Sequence, residues 1–347
     1  MHVLVIGGAG YVGPAVVESL RGIGTGIRIT GVDAGWFVHQ VDDDGPLPET
    51  AYDSFQLSDV RDLTECDLDG VEAVVYLAAI SNDPMGDRFR DLTFEINQRQ
   101  AFRIAKIASS VGVPEFVFAS SASVYGRGRG DRRENDELSP QTAYAESKIA
   151  AERDLATLAS PGFRVTCLRF ATACGWSPRI RLDLVLNDFV ATGLTKGRIE
   201  VLSDGMPWRP LIHVKDMARA IQWSLSDQRA AAADFITVNV GSEEWNFRIR
   251  DLASAVAANL GGIDVSINEA AAPDSRSYRL DFSLWRELAP NHQPEVSLDS
   301  TISELANRLG VLPDLRDDFR SSSRIRLRQL EAWRANGYLG DDLRWRR

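Results

Sequence analysis

Cysteine and histidine are scarce in this sequence of 347 residues, and basic residues are fewer than acidic ones. The three cysteines, Cys66, Cys167 and Cys174, are too unevenly spaced for a disulfide framework, and only four histidines accompany them. We therefore expect reduced thiols and no metal site. Asp and Glu outnumber Lys and Arg by 49 to 39, and the resulting net charge of -10 predicts no nucleic-acid partner.

Long apolar runs are missing as well. No stretch approaches the length of a membrane-spanning helix, so we expect no membrane partner. The first apolar run begins at residue 2, which leaves no room for a secretory signal and predicts a cytoplasmic location. The hydrophobic fraction of 44% and the charged fraction of 25% are typical of a globular protein.

The first thirteen residues hold the most informative motif. The apolar run over residues 1–6 predicts a buried strand, and it leads directly into Gly7, Gly10 and Gly13. Apolar residues at helical spacing follow. A strand, a glycine turn and a helix in this order let the backbone approach a pyrophosphate, while the helix N-terminus supplies N–H donors. The motif predicts a dinucleotide site, and an ordinary turn is the alternative for the glycines taken alone.

Asp33 ends the next predicted strand, residues 27–32, at the distance from the turn where an adenosine ribose is bound. Its carboxylate would accept hydrogen bonds from both ribose hydroxyls and would repel a phosphate on that ribose. The residues that follow, Ala34, Gly35 and Trp36, offer no arginine for such a phosphate. This arrangement predicts NAD rather than NADP as the cofactor, with a plain turn aspartate as the alternative.

Strand and helix patterns alternate along the first 170 residues, which is typical of an α/β fold with a Rossmann-like, doubly wound parallel sheet. Further predicted strands cover residues 73–77, 116–119 and 164–170. Predicted helices cover residues 92–111 and 142–158. After Phe170 the alternation stops. We therefore expect a second, smaller α/β substrate domain that is discontinuous in sequence.

The predicted boundaries are as follows. The NAD-binding domain takes residues 1–175, and residues 211–240 return to it, because 211–223 and 235–240 look able to rejoin the main sheet. The substrate domain takes 176–210 and 241–312, and an arginine-rich tail covers 313–347. This tail is expected to be a packing helix, a dimer element or partly disordered.

A tyrosine and a lysine carry the first catalytic hypothesis. Tyr144 and Lys148 are four residues apart in a predicted helix, so they share one face. A phenol titrates near about 10, and we expect the neighbouring ammonium to lower this pKa so that Tyr144 acts as a general base. The alternative is an ordinary helix in which the tyrosine packs against its neighbours and the lysine is solvated.

A serine-rich loop at residues 120–126 follows a predicted strand whose carboxyl end would face the ligand crevice. Ser121 could donate a hydrogen bond to a substrate oxygen there. Ser120 and Ser123 are more easily interpreted as residues that end a strand or cap a turn.

These motifs occur in the order found in extended short-chain dehydrogenase/reductases. The chain most resembles the NAD-dependent nucleotide-sugar epimerase/dehydratase family, the group of UDP-galactose 4-epimerase, over about residues 1 to 310. The motifs that carry the resemblance are the glycine turn, Asp33, Asp59-Val60, Leu77-Ala78-Ala79, Asn97, the Ser-Ser-Ala-Ser-Val-Tyr-Gly loop and the Tyr144–Lys148 pair. The resemblance implies a Rossmann-like domain that holds NAD and a smaller domain that holds a nucleotide-diphosphate sugar.

The resemblance also implies a role for individual residues. The catalytic residues would be Ser121, Tyr144 and Lys148. The cofactor-binding residues would be Gly7, Gly10, Tyr11, Val12, Gly13, Asp33, Asp59, Val60, Leu77, Ala78, Ala79, Asn97, Ser120, Tyr144, Lys148 and Phe170. The substrate-binding residues would be Ser81, Asn82, Ser121, Ser123, Asn187, Arg209 and Arg276. Arginine suits a diphosphate because its planar fork offers paired donors, although either arginine could instead be a surface ion-pair partner.

Two departures from the family pattern bear on the reaction. Dehydratases of the family follow the catalytic hydroxyl with an Asp-Glu pair, whereas this chain has Ala122 and Ser123, which disfavours dehydration. The segment 80–86 also differs from the common epimerases, so the sugar is not expected to be plain galactose or glucose.

The predicted function is therefore an NAD-dependent nucleotide-sugar 4-epimerase. An NAD(P)H-dependent reductase of a 4-keto nucleotide sugar and a non-catalytic NAD sensor are the alternatives. By analogy with the family we also expect a homodimer that pairs through the helices at 92–111 and 142–158.

Overall fold

The computed structural model describes residues 1–24, 26–42, 45–230, 232–271, 277–313, 315–316 and 318–346. The strands in chain order are β1 (His2–Ile6), β2 (Arg28–Asp33), β3 (Ser54–Leu57), β4 (Ala73–Tyr76), β5 (Glu115–Ser121), β6 (Arg127–Arg132), β7 (Arg164–Phe170), β8 (Thr172–Cys174), β9 (Arg198–Val201), β10 (Trp208–His213), β11 (Phe235–Val240), β12 (Asn246–Arg248), β13 (Asp264–Ile267) and β14 (Ser277–Leu280).

The helices in chain order are α1 (Gly13–Arg21), α2 (Asp83–Arg88), α3 (Arg90–Phe94), α4 (Ala101–Ser110), α5 (Ala143–Ala156), α6 (Val185–Lys196), α7 (Val214–Ser224), α8 (Asp227–Ala230), α9 (Ile249–Asn259), α10 (Ser283–Leu288), α11 (Leu298–Gly310) and α12 (Arg326–Ala335). A π-helical segment, Glu95–Gln100, joins α3 to α4. None of the helices in the described ranges has the length and apolar character that crossing a bilayer requires.

Seven strands form the central sheet in the order β3-β2-β1-β4-β5-β7-β11, and every neighbouring pair is parallel. The order reverses direction at β1, which is the topology of a doubly wound sheet. The predicted Rossmann-like α/β fold is confirmed. Because all strands run the same way, their carboxyl ends meet at one edge and face a common crevice.

Apolar residues cover both faces of this sheet. Residues 3–6 of β1 are buried on both sides, as expected for a central parallel strand. On one face α1 and α7 pack against each other, and the fully buried Trp223 lies in that core. On the other face α4 and α5 cover a second core that contains Phe116 and Phe118.

A second, smaller region is discontinuous in sequence, because β11 of the central sheet lies between β10 and β12 along the chain. It contains a three-stranded sheet in the order β12-β10-β8 and a β9–β13 pair, with a core of its own that includes Trp176, Phe189 and Trp245. The predicted return of 211–223 to the main sheet is therefore only partly realised. The strand portion belongs to β10, because it pairs with β8 and β12, whereas α7 packs on α1 and β11 forms one edge of the main sheet.

The C-terminal tail packs against both parts of the molecule: Phe319 lies in the core of the smaller region, and the later residues pack against the main sheet domain. Leu330 on α12 and the later Leu339 and Leu343 are buried in the same core as Phe116. Of the three roles expected for the tail, the described residues fit that of a packing element.

Candidate active site

A cavity of about 600 Å³ opens at the carboxyl ends of the central strands. Its walls come from the glycine turn, the ends of β2, β4, β5 and β7, the start of α5, the chain before α6, and the start of α12. This is the place where an open parallel sheet binds its ligand.

The glycine turn leaves a cradle that any side chain would fill. Gly7 has a φ of 89°, and a Cβ built there would lie 2.5 Å from the amide nitrogen of Ala78. A Cβ on Gly13 would lie 1.9 Å from the carbonyl oxygen of Gly8. Since α1 begins at Gly13, its first N–H groups point toward the turn and can bind a pyrophosphate.

Asp33 lies at the end of β2 and lines the cavity. Its carboxylate accepts hydrogen bonds from the amide of Ala9 at 3.1 Å and from that of Gly35 at 2.8 Å. Burial raises the pKa of Asp33 and these two donors oppose the shift. The remaining acceptor capacity faces the cavity, so the position fits the ribose of NAD. Together with the cradle, it provides a site into which the dinucleotide fits.

Asp59 and Val60, two further residues of the predicted cofactor site, also line the cavity. Asp59 is held in place by Arg61, whose Nε donates to its Oδ1 at 2.8 Å and whose Nη2 donates to its Oδ2 at 2.6 Å. Other cavity-lining residues from the cofactor prediction are Gly7, Gly10, Tyr11, Val12, Leu77, Ala78, Ala79, Ser120 and Phe170. Gly13 acts through the close packing of the turn.

Asn97 does not line the cavity, contrary to the cofactor-binding role predicted for it. It is fully buried, and its amide accepts from the backbone N–H of Ile80 at 2.9 Å and donates to the carbonyl of the same residue at 3.1 Å. It also donates to Ser147 on α5 at 3.1 Å. Asn97 therefore fixes the loop after β4 against α5.

The Tyr144–Lys148 pair lies in the first two turns of α5. Thr142 caps this helix, because its Oγ1 accepts from the amide of Ala145 at 3.2 Å. Lys148 Nζ donates to the carbonyl oxygen of Ala119 at 2.6 Å and lies 5.7 Å from the centre of the Tyr144 ring. The helix therefore brings both side chains to the end of β5, as their spacing predicts.

Ser121 completes this group at the end of β5. Its side chain is hydrogen-bonded to Tyr144, and its Oγ also accepts from the amide of Ser123 at 3.2 Å. The two serines compared in the sequence thus differ in environment. Ser121 contacts the phenol, whereas Ser123 Oγ is shielded from solvent, lines the cavity and has no hydrogen-bond partner among the described residues. A buried hydroxyl without a partner is a candidate for contact with a ligand.

Burial controls the electrostatics of the pair. It raises the pKa of Tyr144 to about 12, and the hydrogen bond with Ser121 opposes this shift. Burial also lowers the pKa of Lys148 to about 7, against the attraction of Glu152. Desolvation therefore outweighs the groups that lower the pKa of Tyr144 in the protein alone, and a cation is needed beside the phenol for it to act as a general base near neutral pH.

A polar network lines the wall beside Tyr144, and sequence reasoning found only part of it. Arg181 forms a two-pronged ion pair with Asp183, at 3.0 and 2.9 Å, and donates to Ser81 Oγ at 3.1 Å. Asn82 Nδ2 donates to the same Asp183 at 2.6 Å. Asn82 has a φ of 103°, a strained conformation that is typical of functional sites.

The other predicted substrate residues differ in whether they line the cavity. Arg209 lines the cavity, with its guanidinium carbon 5.8 Å from the ring centre of Tyr278, which also lines it. Asn187 does not line the cavity: it is fully buried, accepts from the amide of Gly175 at 3.0 Å and donates to the carbonyl of Arg181 at 2.9 Å. It acts as a support for Arg181. Arg276 lies outside the described residues.

No group of three or more His, Cys, Asp or Glu residues that could hold a metal ion is present among the described residues. His213 is fully buried, and its Nδ1 accepts from the amide of Lys215 at the start of α7 at 3.1 Å.

Comparison with known proteins agrees with this geometry. Among curated proteins, the chain is 29% identical over 180 residues to the "Uncharacterized UDP-glucose epimerase YtcB" of Bacillus subtilis (strain 168), covering 51% of this chain and 55% of that protein. It is 28% identical over 228 residues to a dTDP-glucose 4,6-dehydratase of Streptomyces griseus, covering 64% of this chain and 68% of the relative. The first match therefore spans only about half the length of that relative.

Among solved structures, MoeE5 in complex with UDP-glucuronic acid and NAD superposes with a TM-score of 0.72 and 26% identity, over 89% of this chain and 98% of MoeE5. A family model described as the NAD dependent epimerase/dehydratase family matches residues 3–241, which is more than half of the chain and includes most of the cavity wall. The chain thus belongs to the NAD-dependent epimerase/dehydratase family.

Proposed function

We propose that the protein is an NAD-dependent nucleotide-sugar 4-epimerase. The observation that carries the proposal is the placement of Ser121, Tyr144 and Lys148 in one cavity with the glycine turn and Asp33, without a carboxylate directly after Ser121. The three catalytic side chains, the glycine turn and Asp33 suit reversible oxidation of a carbinol. The absence of a carboxylate directly after Ser121 disfavours loss of water.

Each catalytic side chain has a definable task. Tyr144 would take the proton of the C4 hydroxyl, and Ser121 would hold the same oxygen by a hydrogen bond as the carbinol becomes a ketone. Lys148 lies against the end of β5, from which its ammonium can hold a ribose hydroxyl and favour ionisation of Tyr144. NAD, when bound, accepts the hydride from C4 and supplies the positive charge that the phenol needs.

Epimerisation further requires that the 4-keto sugar turn its other face to the cofactor before it is reduced. Tyr144 would then return the proton to the new C4 oxygen, so that the enzyme ends each cycle unchanged. Ser123 Oγ, which has no protein partner among the described residues, is available to hold a sugar hydroxyl in one of the two orientations.

Dehydration would require a general acid beside the sugar, and the carboxylates near Tyr144 have other tasks. Asp83 accepts a hydrogen bond from Thr142 Oγ1 at 2.7 Å. Asp183 is bound by both Arg181 and Asn82. Ala122 and Ser123 stand where the dehydratases have their acid pair, so the chain offers no acid for that step there.

The nucleotide-sugar part of the proposal rests on the opposite wall. Arg209 and Tyr278 line the same cavity as Asp33, and an arginine with an aromatic neighbour suits a diphosphate and a base. MoeE5 was crystallised with UDP-glucuronic acid and NAD, so uronic as well as neutral sugars belong in the test. Arg181 provides positive charge close to Tyr144, where a sugar carboxylate could be accommodated.

The test is to incubate the purified protein, without added cofactor, with UDP-glucose, UDP-glucuronic acid and dTDP-glucose in turn. The expected result is the C4 epimer of one of them, at constant total sugar and with no net change in NADH absorbance. A product that has lost water would make the protein a dehydratase. Turnover only of 4-keto sugars with added NAD(P)H would make it a reductase, and silence with every sugar would favour the sensor.

Tyr144→Phe is the matched variant. The phenylalanine keeps the ring in place and removes only the proton acceptor, so NAD binding is expected to persist while turnover falls by roughly three orders of magnitude or more. Turnover within tenfold of the wild-type value would contradict the mechanism.

The proposal includes a homodimer. The helical stretch of α3, the π-helical segment and α4 runs beside α5. Along it, the half-buried Phe94 and Phe102 are each covered by a cation, Arg90 at 5.5 Å and Lys106 at 5.8 Å. Sedimentation at micromolar concentration should show a species of twice the chain mass, and a monomer alone would contradict the pairing.

A further inference from the structure

We propose that Arg326, at the start of α12 in the C-terminal tail, binds the pyrophosphate of NAD, which makes the tail a part of the cofactor site. The family model ends at residue 241, so this contribution comes from a segment that the match does not include. Ile325, Arg326 and Leu327 all line the cavity that contains the glycine turn and Asp33.

Arg326 is a buried cation with an incomplete set of partners. Only 2% of the residue is exposed. Its Nη1 donates to Gln40 Oε1 and its Nη2 donates to the carbonyl of Arg179 at 3.0 Å, and its guanidinium lies 4.0 Å from the ring centre of Phe37. Both hydrogen-bond acceptors are neutral. Burial, together with the charges of Arg181 and Arg179, lowers the pKa of Arg326 to about 9, and the more distant Asp183 and Asp42 only partly oppose this shift.

The neighbouring buried arginines differ from Arg326 in this respect. Arg179 pairs with Glu49, Arg181 with Asp183 at 2.9 Å, and Arg324 with Asp42 at 2.5 Å. Within the described ranges, Arg326 has no carboxylate within ion-pair distance. A buried charge of this kind is strongly unfavourable unless an anion compensates it, and the cavity it lines is where an anionic ligand enters.

The contacts of Arg326 lead back to the glycine turn. The backbone carbonyl that it contacts belongs to Arg179, two residues after Ser177. Ser177 Oγ donates to the carbonyl of Tyr11 in the turn at 2.8 Å. The guanidinium is therefore tied through a three-residue stretch to the turn that receives the pyrophosphate, and its planar fork suits a phosphate.

The tail is fastened to the adenosine end by tryptophans. Trp345 Nε1 donates to the carbonyl of Ala34 at 2.6 Å, and Trp333 Nε1 donates to that of Trp36 at 3.3 Å. In return Trp36 Nε1 donates to the carbonyl of Leu343 at 3.0 Å. These bonds join the tail to the residues directly after Asp33, so α12 is held at a fixed position over the cofactor site.

The test compares Arg326→Met with Arg328→Met. Methionine retains most of the volume of the arginine stem but no charge. Arg328 is on the same helix, has an exposed side chain and pairs with Glu331, and it does not line this cavity. Calorimetric titration of each dinucleotide-free protein with NAD, ADP-ribose and adenosine separates phosphate contacts from base contacts.

We expect Arg326→Met to bind NAD and ADP-ribose roughly tenfold to hundredfold more weakly, with adenosine affinity unchanged. Arg328→Met should match the wild type for all three ligands. The melting temperature of the dinucleotide-free Arg326→Met protein should equal or exceed that of the wild type, because an uncompensated buried charge is removed.

Wild-type affinity of Arg326→Met for NAD and ADP-ribose would overturn the proposal. A lower melting temperature of the dinucleotide-free variant, together with wild-type affinities, would show that Arg326 only anchors Gln40 and Arg179. Weaker binding of adenosine to the same extent as NAD would place the arginine on the adenosine rather than on the pyrophosphate, which would also refute it.

Discussion

Burial of Lys148 predicts a pH dependence of stability in the cofactor-free protein. Its pKa is about 7 in the folded chain and about 10.4 in an unfolded chain. Between these values the unfolded state binds more protons than the folded state, so the free energy of unfolding rises with pH. One pKa unit corresponds to about 1.4 kcal/mol, and the group therefore adds about 2 kcal/mol of stability between pH 7 and pH 9.

The assay is urea denaturation of the wild type and of Lys148→Met, without dinucleotide, at pH 7, 8 and 9. Methionine fills the same space without a charge, so the free energy of unfolding of the variant should lack this rise with pH. Relative to the wild type, the variant should be most stabilised at pH 7. Burial raises the pKa of Cys167 and Cys174 in both proteins. Lys148 lowers the pKa of Cys167, so its removal raises that pKa further and the folded thiol stays protonated over this pH range in both proteins. Parallel stability curves for the two proteins would refute the reasoning.

Two further predictions concern the geometry of the site. A Cβ on Gly86 would lie 2.9 Å from the Cβ of Tyr144, so Gly86→Ala should displace the phenol and lower turnover by roughly tenfold to hundredfold with NAD affinity intact. Gly310→Ala, which meets nothing within 4 Å, is the control, and equal turnover of the two variants would contradict this. Asp33→Asn replaces an anion that accepts two backbone N–H groups, so calorimetry should show roughly tenfold weaker NAD binding, whereas wild-type affinity would argue against its role.

Local spacing was sufficient to predict the main elements of the cofactor site. Gly7, Gly10 and Gly13 are close in sequence, and Asp33 follows at a distance that one helix and one strand fix. The same holds for Tyr144 and Lys148, which one helix carries. Where the geometry depends on a single βα unit or helix, the sequence contains the answer.

The other features of the site depend on long-range contacts, which the sequence pattern does not show. Asn97 and Asn187 have the residue type of ligand-binding amides, but backbone groups far away in sequence occupy their hydrogen-bonding atoms. Arg181 and Arg326 look like surface arginines in a chain rich in them, and only tertiary packing buries them beside the cavity. The effect of burial on the pKa of Tyr144 could not be predicted for the same reason, because the degree of burial is not a local property.

The prediction for residues 211–223 failed at its strand for a related reason. The short apolar segment of β10 could pair with any exposed strand edge, and its register is set by β8 and β12. Its helix, α7, has an apolar face that packs on α1, as a return to the main domain requires. Sequence pattern thus identified the buried face without identifying the pairing partner.

The most direct test of the proposed epimerase follows a deuterium label at C4 of the nucleotide sugar that the purified protein converts. The expected product is a C4 epimer that retains the label at C4, formed without added cofactor, because the hydride is removed and returned within one active site. Loss of the label to solvent, a product lighter by one water, or conversion that depends on added NAD(P)H would contradict it.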